Sequence, residues 1–398
     1  MTQLAVHRAL AIAAGAVLLA VAPRAVRAQA PLGGTLGGQT GVTLEQWHLG
    51  CCTDATSSGA SVKDATELTV PITAFVPLGP VAFDVYTAWM HGSVTLRGAG
   101  SPTQTIDGLT DTYLRGAVHL AGDALLATVG VNVPTGKTTL DTDELGALQV
   151  LGAPALRYQT PVLGTGWGGT AGLVYTMHSG TWSCGVGTSY EYRGQYSPTQ
   201  AQALGLGSGD FDLRPGQAIR VSLGSDGLVG QSDMSMSVAS TFYTEDHVAL
   251  TAGGTPPAPI TLGPMFTGEW QLRAAAGGIR DLTLFAFDRY RMQYKRDGVR
   301  VPGTDGNELE IGAGGSVPLG ARTAFVVGVR GRWHTGLSVD TSLPTAGIVS
   351  GGGDIGLSWL AGPFAFHPAI GGEIGRLDTG PSTISVNKLE ASFTISAR

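Results

Sequence analysis

The chain is poor in charge. Only 14% of its 398 residues are Asp, Glu, Lys or Arg, against roughly 25% in a soluble globular domain, so an ordinary water-facing surface is excluded. It also lacks a basic block: 24 Lys and Arg face 30 Asp and Glu, a net charge of −6. Phosphate binding needs a concentrated cationic face, so nucleic acid is not an expected partner. Cysteine is scarce and odd in number, at three, which excludes a paired disulfide framework. Adjacent Cys51 and Cys52 are badly placed to join each other. The sharper readings are a loop disulfide from one of them or a metal site with His48; Cys184 falls on an outward strand position, no Cys-x-x-Cys exists, and no metal or cofactor is expected.

Long apolar runs are missing too. The longest, Ala9 to Ala22, is about 14 residues, short of the ~20 that a spanning helix needs. It follows Arg8 and leads to a small-residue exit at Val26-Arg27-Ala28, the pattern of a secretory leader cleaved after Ala28. Residues 1–28 are thus expected to be a signal peptide and residues 29–398 a single domain.

Glycine is what the sequence has in excess: 61 residues, roughly twice the usual ~7%. With 43% apolar residues and a mean hydropathy of +0.15, the chain is too apolar to be disordered. After Gln29 it alternates apolar and polar residues with period two. Leu389, Ala391, Phe393 and Ile395 alternate with Lys388, Glu390, Ser392 and Thr394. The same code runs through Leu309, Ile311, Ala313 and Val317, through Phe325, Val327, Val329 and Trp333, and through Phe266, Trp270 and Leu272.

Alternation alone also fits a soluble sandwich. Three features favour a membrane barrel. The segments are about 10 to 15 residues long, enough to cross lipid with tilt. Aromatics such as Tyr290, Tyr294 and Trp333 sit toward strand ends, like an interfacial girdle. The opposite face is glycine-rich and charged, which a dry core would not tolerate. Short turns such as Pro77-Leu78-Gly79-Pro80 and Ala361-Gly362-Pro363 alternate with long polar loops such as Thr135 to Gly146, Gly194 to Arg214 and Thr335 to Gly351. That is the periplasmic-turn, extracellular-loop pattern of outer-membrane barrels.

The pattern yields about seventeen segments, whereas single-chain bacterial barrels use even numbers. Val150 to Arg193 holds three candidates, Val150 to Thr160, Trp167 to His178 and Trp182 to Arg193, where turn order permits two or four. Counting two predicts an all-β, antiparallel up-and-down transmembrane β-barrel of about 16 strands, with a range of 12–18. Fourteen or twelve follow if Leu36 to Trp47 or a weak hairpin lies outside the wall.

The stretch IDGLTDTYLRGAVHLAGDALLATVGVNVPTGK, Ile106 to Lys137, resembles the outer-membrane transporter-type barrel family labelled putative MetA pathway of phenol degradation. The matching residues are Gly108, Leu109 and Asp111, then Val133, Pro134, Thr135, Gly136 and Lys137, with Thr110 where the family usually carries glycine. The resemblance covers about a third of the chain well. It implies a channel or transporter for passive uptake or efflux of small organic solutes, aromatic ones included. The residues themselves read as a strand stop, because proline cannot donate to a ladder and glycine permits a turn. Outer-membrane barrels commonly end in an aromatic residue; here Ile395-Ser396-Ala397-Arg398 stands instead, with Phe393 as a substitute.

Strand parity gathers candidate functional residues on one lumen wall. Phe285, Phe287, Arg289 and Arg291, with Thr283, Gln293 and Lys295, share an inward face. Pairing Pro318 with Arg322 sets Glu310 opposite Arg330 and Glu308 opposite Arg332. These eight residues, Arg289, Arg291, Glu308, Glu310, Arg330, Arg332, Phe285 and Phe287, are the expected constriction, with a positive local field. The bland alternative is lumen charges paired merely to keep the interior rigid and wet. Catalysis finds no support: His91, His119, His334 and His367 are inward or near-inward, but none has a nucleophile and acid in place. Asp141, Asp143 and Glu144 form an acidic loop trio that either holds Ca²⁺ weakly or faces water. The expected partners are outer-membrane lipid and lipopolysaccharide, the barrel-assembly machinery and a small solute. A structural or adhesion-type barrel with a plugged lumen is the competing function.

Overall fold

The computed structural model describes residues 37–50, 62–98, 100–122, 124–160, 163–200, 209–250, 257–336, 347–378 and 383–397. The expected leader, Cys51 and Cys52 lie outside these residues. Strands β1 (Gly37–Leu49), β2 (Val62–Leu78), β3 (Val81–Leu96), β4 (Thr103–Leu109), β5 (Thr112–Leu120) and β6 (Leu125–Val133) open the wall. The helix α1 (Thr142–Leu151) precedes β7 (Gly168–Ser179) and β8 (Trp182–Arg193). β9 (Tyr196–Gln200) and β10 (Asp210–Arg214) leave the wall, and β11 (Ala218–Val229) and β12 (Ser232–Tyr243) rejoin it. β13 (Glu245–Leu250) and β14 (Ile260–Thr261) depart again before β15 (Met265–Ala276) and β16 (Ile279–Arg291). The short β17 (Lys295–Arg296) and β18 (Val299–Arg300) precede β19 (Gly306–Pro318), β20 (Thr323–Thr335), β21 (Gly347–Ala361), β22 (Phe364–Asp378) and β23 (Thr383–Ala397).

β23 pairs antiparallel with β1, with Trp47 opposite Lys388, and this closes the wall. β4 and β5 both pair with β3 and form one wall strand interrupted at Thr110 and Asp111. The wall is therefore a closed antiparallel barrel of 16 strands, and the segment ending at Trp47 belongs to it. The three-way ambiguity between Val150 and Arg193 resolves as two strands, β7 and β8. The expected strand at Val150 to Thr160 is instead the end of α1 and a coil inside the lumen. Period two could not identify it, because a short apolar run reads alike as strand or buried helix.

Facing follows the alternation. On β1, Val42 and Leu44 point out while Thr43, Glu45 and Trp47 are buried inside. Leu309, Ile311, Val327 and Val329 lie outward and exposed, as do Phe266, Trp270, Tyr290 and Trp333. An apolar exterior around a charged interior inverts the soluble arrangement, and it defines a membrane-spanning barrel rather than a sandwich. Two expectations fail here. Tyr294 is no girdle residue, since it is buried in the core. His91 lies on the opposite parity to inward Met90 and Gly92, is exposed, and stacks on outward Trp89 at 6.5 Å.

The loop end carries more structure than the sequence promised. β9, β10, β13, β14, β17 and β18 form a second, six-stranded sheet from segments read as loops. Beneath this cap, α1 places Leu145, Leu148 and Leu151 in one apolar core with Trp47, Met90 and Ile106 of the wall and Phe211, Leu213 and Ile260 of the cap. Gly92 makes room for the helix, because a Cβ there would collide with Leu151 Cδ1. The acidic trio starts that helix. Asp141 is the N-cap and accepts from the Glu144 amide at 2.9 Å, Glu144 reaches back to the Asp141 amide at 3.1 Å and also pairs with Lys137, and Asp143 lies in the first turn. A capping box, not a calcium loop, accounts for these acids, and among the described residues no cluster is placed to hold a metal.

Candidate functional site in the barrel lumen

The insertion between β6 and β7 starts and ends at one carboxylate. Asp111, at the break between β4 and β5, accepts from the Gly136 amide at 3.1 Å and from the Thr165 amide at 2.7 Å. It also accepts from Asn132 Nδ2 at 2.7 Å. Thr135 Oγ1 donates to the Thr110 carbonyl at 3.0 Å, and Thr110 Oγ1 accepts from the Ala88 amide at 2.9 Å. The two short motifs read from the sequence, around Gly108 to Asp111 and Val133 to Lys137, therefore meet in space. β6 stops at Val133 as the Pro134-Thr135-Gly136 reading expects. Gly136 is needed there, since a Cβ would strike the Leu163 carbonyl.

From α1 the chain crosses the lumen and bonds both sides. Toward β1 and β2, the Gln159 amide donates to Glu45 at 3.0 Å, the Thr160 amide donates to Glu67 at 2.9 Å, and the Tyr158 hydroxyl donates to the Ala65 carbonyl. Toward β19 and β20, Arg157 pairs with Glu310 and, at 3.4 Å, with Glu308, while Arg332 donates to the Ala155 carbonyl at 2.7 Å. Arg157 also lies 5.9 Å from the Phe287 ring centroid. Its φ of +52° is left-handed, a conformation that costs of order 1–3 kcal/mol and persists where surrounding contacts over-determine it.

All eight sequence-predicted constriction residues lie on the inward parity of β16, β19 and β20, but their pairing differs. Pro318 aligns with Ala324, which sets Glu310 opposite Arg332 and Glu308 opposite His334. The turn is longer than the three residues assumed, and the two-residue slip preserves facing while changing every partner. Arg289 instead pairs with Glu308, as the register of β16 with β19 dictates. Arg330 turns toward Glu373 at 3.8 Å and Glu390 at 3.4 Å. Gln293 and Lys295 fall beyond the end of β16; Gln293 bonds Asp305 at 3.2 Å and Lys295 belongs to the cap.

The sequence reading missed the other half of the belt. Lys388 bridges Glu45 at 2.5 Å and Glu390 at 3.0 Å, and Glu373 pairs with Arg332 at 3.2 Å. Two cations approach the Trp47 ring, Arg332 at 5.8 Å and Lys388 at 5.9 Å from its centroid. Carboxylates from Glu45, Glu67, Glu373 and Glu390 thus balance the arginine side, so the expected net positive field does not hold. The available signal was the alternation on β1 and β23, whose inward Glu45, Lys388 and Glu390 have the same parity code. Closure of β23 onto β1 brings these residues to the belt.

No family model and no curated protein matches the sequence. Solved structures do. The chain is similar to the Pseudomonas putida OprB high-pH structure at 11% identity and a TM-score of 0.48, covering 91% of this chain and 93% of that one. It is similar to CymD, described as a monoaromatic hydrocarbon channel, at 13% and 0.42 over 96% and 92%. It is also similar to Pseudomonas aeruginosa OccK2 in complex with glucuronate, at 10% and 0.43 over 90% and 98%.

Proposed function

We propose that this protein is an outer-membrane channel for passive passage of small organic solutes, exported by its leader, inserted by the barrel-assembly machinery and surrounded by lipid and lipopolysaccharide. The observation that carries this reading is the strand of coil at residues 153–160, which crosses the lumen and is held by charged groups on both sides. A narrow cross-section lined by paired, field-focusing charges discriminates solutes by charge and orientation. Its carboxylate partners Glu45, Glu67 and Glu308 are buried while Arg157 is part-exposed, and the turn-end half of the lumen is lined by small and polar side chains such as Ser222, Ser237, Gly312 and Gly328. The machinery is non-catalytic in this reading.

A second reading, a plugged structural or adhesion barrel, is favoured by one observation: the apolar core around α1 fills the loop-end half. Planar-bilayer conductance and liposome swelling separate the two. A channel passes ions and takes up aromatic acids, sugars or fatty acids selectively, and Arg291→Ala with Arg330→Ala moves its reversal potential toward cation preference, an effect that fades at 1 M salt, where the screening length is ~3 Å. A folded barrel that passes nothing removes the channel reading.

A further inference from the structure

Below the cap, a group of buried donors takes no part in the bridging coil. Arg193 ends β8, Tyr243 ends β12, and Arg289 and Arg291 end β16. The registers Glu191 to Ala218 to Tyr243 and Thr241 to Met265 to Arg291 place them side by side around the lumen. The Arg193 guanidinium lies 5.4 Å from the centroid of the Tyr243 ring. Glu191 takes its Nε at 2.8 Å and Nη2 at 3.4 Å, which leaves Nη1 buried without a hydrogen-bond partner among the described residues. Glu308 takes Arg289 Nη2 and leaves Nε in the same condition. The Tyr243 hydroxyl is also buried and unpartnered, within electrostatic reach of Arg193, Arg291 and Arg289. Arg193 is only 6% exposed.

We infer that Arg193, Arg289 and Tyr243, with Arg291 beside them, form a subsite for the carboxylate of a small organic monoanion. The inference rests on the channel reading and names the solute class for that lumen. Arg193 and Arg289 are each fixed on one side by a glutamate and offer an unused N–H on the other, and the tyrosine hydroxyl supplies a third donor. Donors held in place by other bonds lose little freedom when an acceptor arrives, and charge-assisted bonds to a carboxylate are the strong ones. Glu191 and Glu308 already offset much of the arginine charge, and Asp246 acts on Arg193 from the cap. The subsite therefore offers directed donors more than net positive charge, which suits a monocarboxylate and disfavours a phosphate dianion. Phe287 and Phe285 continue the inward line of β16 from Arg289 toward the turn end, a place for an apolar or aromatic body.

Calorimetric titration of the detergent-solubilised full chain tests this with benzoate, benzyl alcohol, acetate and inorganic phosphate. Benzoate binds, benzyl alcohol binds at least ~10-fold more weakly, and acetate competes better than phosphate. Tyr243→Phe, which keeps the ring under Arg193, weakens benzoate by ~5-fold or more with heat-modifiability unchanged; Arg193→Gln weakens it further. Equal binding of benzoate and benzyl alcohol, benzoate affinity untouched by Tyr243→Phe, or phosphate competing as well as acetate overturns the inference. If Arg193→Gln fails to assemble, Tyr243→Phe alone decides. Conductance keeps the two readings apart: open channels without benzoate binding remove the subsite only, and benzoate binding in a barrel that passes no ion removes the channel only.

Discussion

Asp111→Ala is the sharpest probe of how the lumen insertion is held. The carboxylate clamps both ends of residues 134–167 through the Gly136 and Thr165 amides, with Asn132 Nδ2 and Thr165 Oγ1 as further donors. Two of these four donors have ready replacements. Asn132 also reaches the Gly166 carbonyl at 2.6 Å, and a threonine hydroxyl can rotate. The two backbone amides cannot. Each bond to a charged acceptor contributes roughly 1.5–3 kcal/mol, so the substitution weakens the clamp by roughly 3–6 kcal/mol. That corresponds to an increase of roughly 10² to 10⁴ in local opening, at ~1.4 kcal/mol per decade. The barrel should still assemble, because wall pairing and the apolar core around Leu145, Leu148 and Leu151 do not involve Asp111. Hydrogen exchange of the α1 amides, read against those of β22 and β23, should accelerate selectively, and single-channel records should show added open-state noise or larger conductance. Asp111→Asn keeps one acceptor oxygen and should fall between the two. Unchanged α1 exchange in a heat-modifiable Asp111→Ala barrel would refute the clamp.

Val327 faces lipid on β20, so Val327→Arg should cost ~2–4 kcal/mol near mid-membrane, seen as lost heat-modifiable protein, while Val327→Leu assembles normally. Relief of the left-handed backbone in Arg157→Gly removes the ion pairs to Glu308 and Glu310 together with the strain; loss of the cross-lumen bridge dominates, and conductance should rise rather than fall. Burial in the cap lifts Asp246 from its usual range to about 6, against the opposing bond from the Gly216 amide at 2.5 Å. A carboxyl whose folded pKa is raised favours the folded state most when protonated, so the stability of the cap should fall as pH rises from about 4 to about 6 and then level off. The span is roughly 3 kcal/mol at 1.36 kcal/mol per unit. Hydrogen exchange at β10 and β13, corrected for intrinsic rates, should show that loss in wild type, and Asp246→Asn should abolish it.

Much of the wall was legible because a period of two needs no tertiary knowledge. A residue such as Val327 must face lipid if Gly328 faces the lumen, whatever its neighbours are. Register was less legible than facing. The turn after Pro318 holds more residues than its Leu-Gly-Ala sequence suggested, and the slip of two left Arg330 inward but moved it from Glu310 to Glu373 and Glu390. The cap and α1 were illegible for another reason. Their strands are two to six residues long and their helix is ten, too short for periodicity to separate from loop. They are stable only because the barrel rim holds them over a shared core.

The interior combines two environments with different rules. In the loop-end half, Met90 and Ile106 point inward against Leu151 of α1, so inward parity there means a dry apolar core. Farther toward the turn end, the same parity on the same strands presents Glu45, Glu67 and Glu310 to one another's counter-ions across the lumen. The crossing coil marks the boundary, bonding Ala65 through Tyr158 and Glu45 through Gln159. Arg157 meets Glu308 and Glu310 where the dry insertion gives way to ion pairs. Glu308 is only 1% exposed, so breaking its pair costs about 3–5 kcal/mol, against about 2–5 kcal/mol for each of the three α1 leucines displaced from the core. On the proposed channel reading, opening these few pairs with all three leucines left in place is the lower-energy route.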